Sequence, residues 1–345
     1  MNSTDSLNGA HSPADVRTDV PHPARMYNYY LGGKDHYEID QKAAEEVVRR
    51  VPEAIDSARA NRAWMRRAVH HLAKLGVRQF LDVGTGLPTE PNLHQVAQSV
   101  IADAHILYFD NDPIVLTHAQ TLLTSSKPGQ VEYAHGDLRE PQGIIEKARA
   151  LDIFDWEQPT ALVLSAITHF IPDKDDVAGI FGTLRDALPP GSFLVLSHAT
   201  GDFQPERSAL GAAVYDEFES SVGVTMRSRE QVEALFAGFT LLEPGVVQVP
   251  LWHPDEKINS PELGRIWVYG GIGQKAADCG LQILAQPILA GMSSRRVETP
   301  VPLPSGVLKP DFPAQPEKRL WSLGIQVPRG VRPLHLNRPS GCSAS

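Results

Sequence analysis

The chain has 345 residues with a formal net charge of −9, and 42% of them are hydrophobic, so it can bury a core of ordinary size. The acidic surplus argues against a nucleic-acid binder, a class that usually carries excess positive charge. The N-terminus lacks the apolar core of a signal peptide, and no apolar run approaches the roughly 18 residues of a membrane span. We therefore expect a cytoplasmic protein that contacts neither nucleic acid nor membrane.

Neither disulfides nor a metal site find support in the sequence. Cys279 and Cys342 lie in the last quarter of the chain without metal-ligand spacing. The thirteen histidines are scattered, and the adjacent His70 and His71 point to different faces of a predicted helix. We predict no metal site, and the sequence carries no signal for an oligomeric state.

The first 76 residues divide into a polar leader and an aromatic, helical cap. Residues 1–20 are polar and lack periodicity, which predicts a disordered leader. Residues 21–40 hold three tyrosines close together and then a pair of glycines, a pattern that favours an ordered segment with a turn. Apolar residues at helical spacing follow, so we assign an N-terminal helical cap to residues 21–76.

Strands and helices alternate from residue 77 onward. This order predicts an α/β, Rossmann-like, doubly wound sheet of seven mostly parallel strands over residues 77–275. The last two predicted strands, 240–251 and 265–269, have no helix between them and are expected to pair antiparallel at the sheet edge. Residues 276–345 hold ten prolines and are predicted to form an extended or disordered tail.

The strongest local signal is the glycine-rich stretch at the end of the first predicted strand. Residues 80–86 read Phe-Leu-Asp-Val-Gly-Thr-Gly, and glycines at such a turn let the backbone approach a ligand. Ligands of open α/β sheets bind outside the carboxyl ends of the strands, at the point where the strand order reverses. We therefore expect a ligand beside Gly84 and Gly86.

The following strands end in polar residues that suit a nucleoside. Asp110 ends the second strand, where a carboxylate can accept hydrogen bonds from both ribose hydroxyls. Asp112 is favoured as the cap of the next helix. Asp137 follows the third strand, where a polar side chain can reach an adenine amine; a solvated turn residue is the alternative. Ser165 ends the fourth strand, which faces the reacting end of the ligand.

Nicotinamide dinucleotides are the main alternative ligand, because they bind the same type of sheet. Their fingerprint has a third glycine, which is absent after Gly84 and Gly86. Pro88 and Pro91 also prevent a helix from starting directly after this loop, so a pyrophosphate would lose the helix N-terminus that usually holds it. A cofactor without phosphates fits better.

The stretches LDVGTGLPTEPN, YFDNDPIV and ARMYNYYLGGKDHYEID together resemble the actinobacterial S-adenosyl methyltransferase family, once catalogued as a domain of unknown function. The resemblance covers about residues 21–275 and implies a class I methyltransferase with S-adenosyl-L-methionine as its cofactor. It implies that the glycine-rich loop holds the cofactor, with Asp110 on the ribose and Asp137 on the adenine. The predicted cofactor-binding residues are Tyr27, Asn28, Tyr30, Gly33, Asp82, Gly84, Thr85, Gly86, Asp110, Asn111, Gly136, Asp137 and Ser165.

The tyrosine-rich cap is interpreted as a lid over the methionine end of the cofactor, with simple hydrophobic packing as the alternative. Arg59, Asn61 and Arg62 follow on a helix face that solvent is expected to cover, unless one of them contacts the methionine carboxylate.

Methyl transfer from a sulfonium mainly needs alignment of the reacting atoms and exclusion of water. If a general base is used, His169 is the best-placed catalytic candidate and His198 the second; a structural hydrogen bond is the alternative for each. We expect a small-molecule methyl acceptor in a pocket walled by residues 203–227. The alternative function is a non-catalytic protein that binds S-adenosyl-L-methionine as a signal.

Overall fold

An eight-stranded sheet organises the fold in the computed structural model, which describes residues 17–123, 130–255 and 259–276. The predicted tail, and the leader up to residue 16, lie outside these residues. The strands are β1 (Gln79–Val83), β2 (His105–Asp110), β3 (Val131–His135), β4 (Thr160–Ser165), β5 (Phe193–Ala199), β6 (Phe239–Leu241), β7 (Val247–Gln248) and β8 (Val268–Lys275).

Ten helices surround the sheet in the described part of the chain. They are α1 (Pro23–Tyr30), α2 (Glu38–Arg50), α3 (Glu53–Lys74), α4 (Leu93–Val100), α5 (Pro113–Leu123), α6 (Pro141–Ala150), α7 (Val177–Ala187), α8 (Pro205–Glu217), α9 (Arg229–Ala234) and α10 (Ser260–Leu263). None of them combines the length and the apolarity that a bilayer crossing requires.

The strand order is β3-β2-β1-β4-β5-β8-β6, with β7 also paired to β8. Strands β1 to β5 run parallel, whereas β8 runs antiparallel to β5, β6 and β7. The predicted doubly wound, mostly parallel sheet is therefore confirmed. It has eight strands instead of seven because the segment predicted as one strand, 240–251, turns at Gly245 (φ +82°) and divides into β6 and β7.

The sheet is buried on both faces, as parallel strands require. Successive residues of β1 point to opposite sides, so Phe80 packs with Trp64 and Leu72 of α3 on one face. Leu81 packs on the other face, in a cluster that includes Ile144 of α6. Helix α3 is thus part of the sheet's own core as well as the last helix of the predicted cap.

The cap forms a third hydrophobic cluster beyond the carboxyl ends of the strands. Met26 and Tyr30 of α1 and Val47 of α2 pack against Val214 and Tyr215 of α8. Residues more than 160 positions apart in the chain therefore share one small core. This packing brings α1, α2 and α8 together over the edge of the sheet where ligands of this fold class bind.

A buried arginine ties the cap to the sheet. Arg25 of α1 is 2% exposed, and its guanidinium lies 3.3 Å from Asp112 and 3.5 Å from Asp40, both of which are also buried. Asp40 accepts backbone hydrogen bonds from His22 (2.9 Å) and Tyr37 (2.8 Å). Asp112 follows β2 and, as predicted, caps α5 by accepting from the Ile114 N–H (3.1 Å).

Replacing Arg25 by methionine should lower the free energy of unfolding by about 3–5 kcal/mol, because two carboxylates would then be buried without their cation. The matched control is Arg78→Met. Arg78 pairs with Asp103 at 2.6 Å, but both side chains are more than half exposed, so its loss should cost less than about 1 kcal/mol. Urea unfolding curves measure the free energy of unfolding of both variants. Equal losses in the two variants would contradict a buried ionic anchor.

Candidate functional site

A cavity of about 210 Å³ opens at the carboxyl ends of β1, β2, β4 and β5, beneath α1, α3 and α8. The register of β1 with β2 pairs Val83 with Phe109, so the loop after β1 lies beside the end of β2. Most of the predicted site residues meet around this cavity. They are Tyr27, Tyr30, Asp82, Gly84, Thr85, Gly86, Asp110, Asn111, Ser165 and His169.

A second, smaller cavity of about 40 Å³ adjoins the first at Gly84 and Asn111. Gly136 and Asp137, at the end of β3, line this smaller space. A side chain at Gly136 would place its Cβ 2.7 Å from the Phe109 ring, so glycine is required there by packing. The two cavities together follow the strand ends from β3 to β5.

The loop after β1 owes its shape to its glycines. Gly84 and Gly86 have φ angles of +75° and +67°, which L-residues with side chains rarely adopt. The N–H groups of Gly84 and Thr85 both donate to the Phe109 carbonyl, at 2.8 and 3.2 Å. A Cβ on Gly84 would lie 2.4 Å from Ile167, whereas Gly86 faces open space. A ligand can therefore approach the backbone at Gly86.

Asp110 joins this loop to the end of β2. Its Oδ2 accepts from the Gly86 N–H at 2.8 Å, and its Oδ1 accepts from the Asp112 N–H at 2.9 Å. Each oxygen keeps a free lone pair that can accept from a ligand hydroxyl. Burial raises the pKa of Asp110 above its ordinary value.

Asp82 is the second buried carboxyl group of the cavity. Its Oδ2 accepts from the Thr85 hydroxyl at 3.0 Å. Burial raises the pKa of Asp82 to about 7, against the opposing effects of Thr85 and of the nearby Arg62 guanidinium. The group is therefore about half protonated at pH 7, and a cationic ligand beside it would favour the carboxylate.

Asp137 differs from these two carboxylates because its oxygens are already occupied. It accepts from the Arg139 backbone N–H (2.9 Å) and from Asn111 Nδ2 (3.1 Å) and pairs with the Arg139 guanidinium. These contacts lower the pKa of Asp137 to about 2 although burial opposes them. It stays ionised at the rim of the smaller cavity.

A polar network crosses the main cavity from the cap to β4. Asn61 Nδ2 donates to the Tyr27 hydroxyl (2.9 Å) and lies 3.2 Å from Ser165 Oγ, and the Tyr27 hydroxyl donates to the Ala58 carbonyl (3.0 Å). Asn61 is 2% exposed, and its Oδ1 has no hydrogen-bond partner among the residues that the structure describes. A buried acceptor left free at a cavity wall suits a ligand that donates a hydrogen bond.

Asn61 and Arg62 were expected on a solvated helix face, and for Asn61 this prediction is wrong. Arg62 lines the cavity as well and also donates to the Thr89 carbonyl of the loop after β1. The helical pattern alone could not separate these positions from exposed ones. The signal that could have found Asn61 is its place one turn before the buried Trp64 and Met65.

Two of the predicted cofactor-binding residues lie outside both cavities. Asn28 Oδ1 accepts from the Asp35 N–H at 3.1 Å, which closes the turn between α1 and α2. A Cβ on Gly33 would lie 2.3 Å from the Asn28 amide, so the two residues fit against each other. They shape the turn that positions α1, whereas Tyr27 and Tyr30 face the cavity.

His169 and His198 differ in their access to the cavity. His169 lines it, accepts from the Ala199 N–H at 3.5 Å, and has a pKa that burial holds well below the ordinary range. His198 is fully buried between the Ala199 carbonyl (2.6 Å) and the Arg227 guanidinium (2.8 Å), and burial lowers its pKa to about 3. Both imidazoles are therefore neutral, and His198 has no free nitrogen to offer a ligand.

Arg227 is a buried residue behind the site that the sequence pattern did not single out. It is 3% exposed and donates to the carbonyls of Thr168 (3.0 Å) and Ile171 (2.9 Å), as well as to His198. These bonds fix the turn after β4 that carries His169. A lone arginine before a capping box gave no sign of this role.

The segment after β5 was expected to wall an acceptor pocket. Of its apolar residues, Tyr215 and Met226 line the cavity, whereas Val214 and Phe218 pack in the core of the cap. No cluster of three or more side chains suited to a metal ion exists among the described residues.

Helix α4 begins only at Leu93 and is closed by its own capping box, so the glycine loop lacks the helix N-terminus that a pyrophosphate would use.

Comparison with known proteins agrees with this geometry. The S-adenosyl methyltransferase family profile matches residues 9–276. A DUF574 family structure from Streptomyces avermitilis is 42% identical with a TM-score of 0.70, covering 75% of this chain and all of its own. A structure from Thermobifida fusca, provisionally named a methyltransferase, is 36% identical with a TM-score of 0.71, covering 78% of this chain and all of its own.

No curated protein matches the chain. The family match nevertheless covers the cap, the glycine-rich loop and every strand of the sheet. It favours an enzyme over a non-catalytic sensor, and it excludes the nicotinamide alternative in agreement with the loop after β1. The chain belongs to the S-adenosyl methyltransferase family, and it is a methyltransferase whose cofactor is S-adenosyl-L-methionine.

Proposed function

We propose that the enzyme transfers the methyl group of S-adenosyl-L-methionine to a small-molecule acceptor bound between the sheet and the cap. The observation that carries this proposal is the pair of buried carboxyl groups, Asp82 and Asp110, on either side of an open glycine loop. The cavity that these two groups line extends under α8, where we place the acceptor. The net charge of −9 disfavours a nucleic-acid acceptor.

The ribose end of the cofactor is assigned to Asp110, whose free lone pairs can accept from two hydroxyls. The adenine is assigned to the smaller cavity, between Asn111, Gly136 and Asp137. The Asp137 oxygens already accept from Arg139 and Asn111. An adenine amine would therefore donate to an oxygen that also accepts from one of these two residues.

The methionine end is assigned to the space between the glycine loop and the Tyr27–Asn61–Ser165 network. The free Asn61 Oδ1 and the Asp82 carboxylate can both accept from its ammonium group, and Arg62 supplies a cation for its carboxylate. Tyr27, which accepts from Asn61, closes this end from the cap. His169 is proposed as a neutral hydrogen-bonding group at the reacting end, because its lowered pKa makes it a weak base.

The cytoplasmic location stays a prediction.

Replacing Asp110 by asparagine should weaken binding of S-adenosylhomocysteine by about 10- to 100-fold, since hydrogen bonds to a charged group are worth about 1.5–3 kcal/mol. Asp103→Asn is the matched control, because Asp103 is exposed and pairs only with Arg78. Calorimetric titration of both variants and of the unaltered protein measures the change, with NAD as a further ligand. Unaltered protein that is folded but binds NAD, or no adenosyl ligand, would refute the assignment.

Cofactor binding should weaken as the pH falls through about 7, by up to about tenfold per unit. Protonated Asp82 must lose its proton to face the ammonium and sulfonium charges, so binding lowers its pKa and releases protons. The same raised pKa has the opposite effect on the ligand-free fold, whose stability decreases as the pH rises from about 4 to 7. Calorimetry in two buffers of different ionisation enthalpy counts the released protons.

Asp82→Asn provides the control for this pH dependence. It should flatten the affinity profile between pH 5 and 7 and abolish the proton release. A profile that keeps its slope in the variant would assign the effect to another group and contradict the proposed contact.

The pKa of His169 lies well below the ordinary histidine value of 6.5 because burial disfavours the charged imidazole, so His169 should stay neutral as the pH falls through that value. NMR of protein with labelled histidines measures the protonation state of each imidazole across the pH range. The signal that is lost in the His169→Gln variant belongs to His169. A His169 signal that titrates with a midpoint near 6.5 would show that the site is wetter than the structure indicates and would restore a general-base role.

A further inference from the structure

The charges of the main cavity are confined to one end. Its ionisable lining residues other than tyrosine and His169 are His22, Arg62, Asp82 and Asp110. They lie directly before α1, on α3 and towards the ends of β1 and β2. The other end, which we call the acceptor compartment, lies under α2 and α8. It is lined chiefly by Tyr30, Val47, Val51, Gly211, Tyr215 and Met226. None of the described residues lining this compartment carries a formal charge.

An ion pair beside the compartment does not add a charge to it. Arg207 of α8 bonds to both oxygens of Glu53, at 2.9 and 2.7 Å, and its guanidinium lies 5.4 Å from the centre of the Trp267 ring. Trp267 lines the cavity, but Arg207 and Glu53 do not. The two charges compensate each other behind that ring, so neither is left to bind an ionised acceptor.

Neutral hydroxyl groups provide polarity in the compartment. The Tyr30 hydroxyl is buried without a hydrogen bond of good geometry, although the Tyr215 hydroxyl is close enough to influence its pKa. Burial raises the pKa of Tyr215 to about 12 and that of Tyr30 well above 10, so both remain protonated at neutral pH. The Tyr30 O–H can therefore donate either to the neighbouring Tyr215 hydroxyl or to a ligand oxygen in the compartment.

We propose that the methyl acceptor enters as a neutral, largely apolar molecule and presents a phenol-type hydroxyl, which the Tyr30 hydroxyl helps to orient. The inference rests on the proposed function. An alkylammonium or a carboxylate would have to leave water for a compartment without a counter-charge, which is costly. A phenol enters uncharged, and its oxygen can accept from Tyr30.

The transfer step balances with such an acceptor. The acceptor oxygen forms a bond to the methyl carbon as the carbon–sulfur bond breaks, and the electron pair of that bond passes to sulfur. The hydroxyl proton leaves to solvent as the new bond forms, so that no free anion stands in the uncharged compartment; the lowered pKa of His169 makes that imidazole a poor proton acceptor. The products are a methyl ether, S-adenosylhomocysteine and one proton.

Three small aromatic probes of matched size test the inference by binding alone. Phenol, benzoate and benzylamine are titrated by ligand-observed NMR into the protein saturated with S-adenosylhomocysteine, and again with S-adenosylmethionine. Phenol should bind at least tenfold more tightly than the two charged probes. The proposal is overturned if benzoate or benzylamine binds as tightly as phenol or more tightly. It is also overturned if none of the probes binds at concentrations up to about 20 mM, a 20-fold molar excess over a millimolar protein sample.

Two variants locate the probe. Tyr30→Phe should weaken phenol about fivefold or more and leave toluene unchanged, because only the hydroxyl is lost. Gly211→Phe should exclude both, since a side chain at Gly211 points at Val51, whose Cγ2 would lie 3.0 Å from its Cβ. Unchanged phenol binding in folded Tyr30→Phe would overturn the assigned role. Calorimetry with S-adenosylhomocysteine separates these outcomes from failure of the proposed function, which would abolish cofactor binding itself.

Discussion

The Asp110 carboxylate is the contact on which the site depends. One of its oxygens fixes the glycine loop through Gly86, and the other fixes the backbone at Asp112. Asp112 in turn faces the buried guanidinium of Arg25, which anchors the cap. A single buried carboxylate therefore aligns two strand ends and, through one further residue, the helices that close over them. Its oxygens retain the lone pairs that suit a ribose, so the same group serves structure and ligand binding.

The ionisable groups of the cavity lie at one end, so the two ends suit two different molecules. The end near β1 and β2 concentrates buried ionisable groups, and their raised pKa values reflect the cost of burying charge there. The end under α8 is apolar apart from hydroxyl groups and the neutral His169. A charged cofactor and an uncharged acceptor would thus each find a matching environment, with Ser165 and Asn61 between them.

The cap is built as a tertiary structure, although the chain forms its helices locally. The turn between α1 and α2 depends on Asn28 and Gly33, yet these residues do not face the ligand cavities. They aim Tyr27 and Tyr30 inward, and α8 completes the apolar core of the cap more than 160 residues later in the chain. The buried Arg25 of α1 pairs with Asp112 after β2 and so joins this small core to the sheet.

The sequence by itself determined the alternation of strands and helices, the glycine loop and the acidic residues at the strand ends. These features depend on local periodicity and on turn chemistry, which neighbouring residues specify. The resemblance to the family supplied the identity of the cofactor. Only the tertiary structure decided that Asn61 reaches Ser165, 104 positions away, that Arg25 lies between two carboxylates, and that residues 240–251 form two strands. Such contacts join polar side chains from distant elements, and a polar residue on a helix has the same local pattern whether it meets water or a cavity.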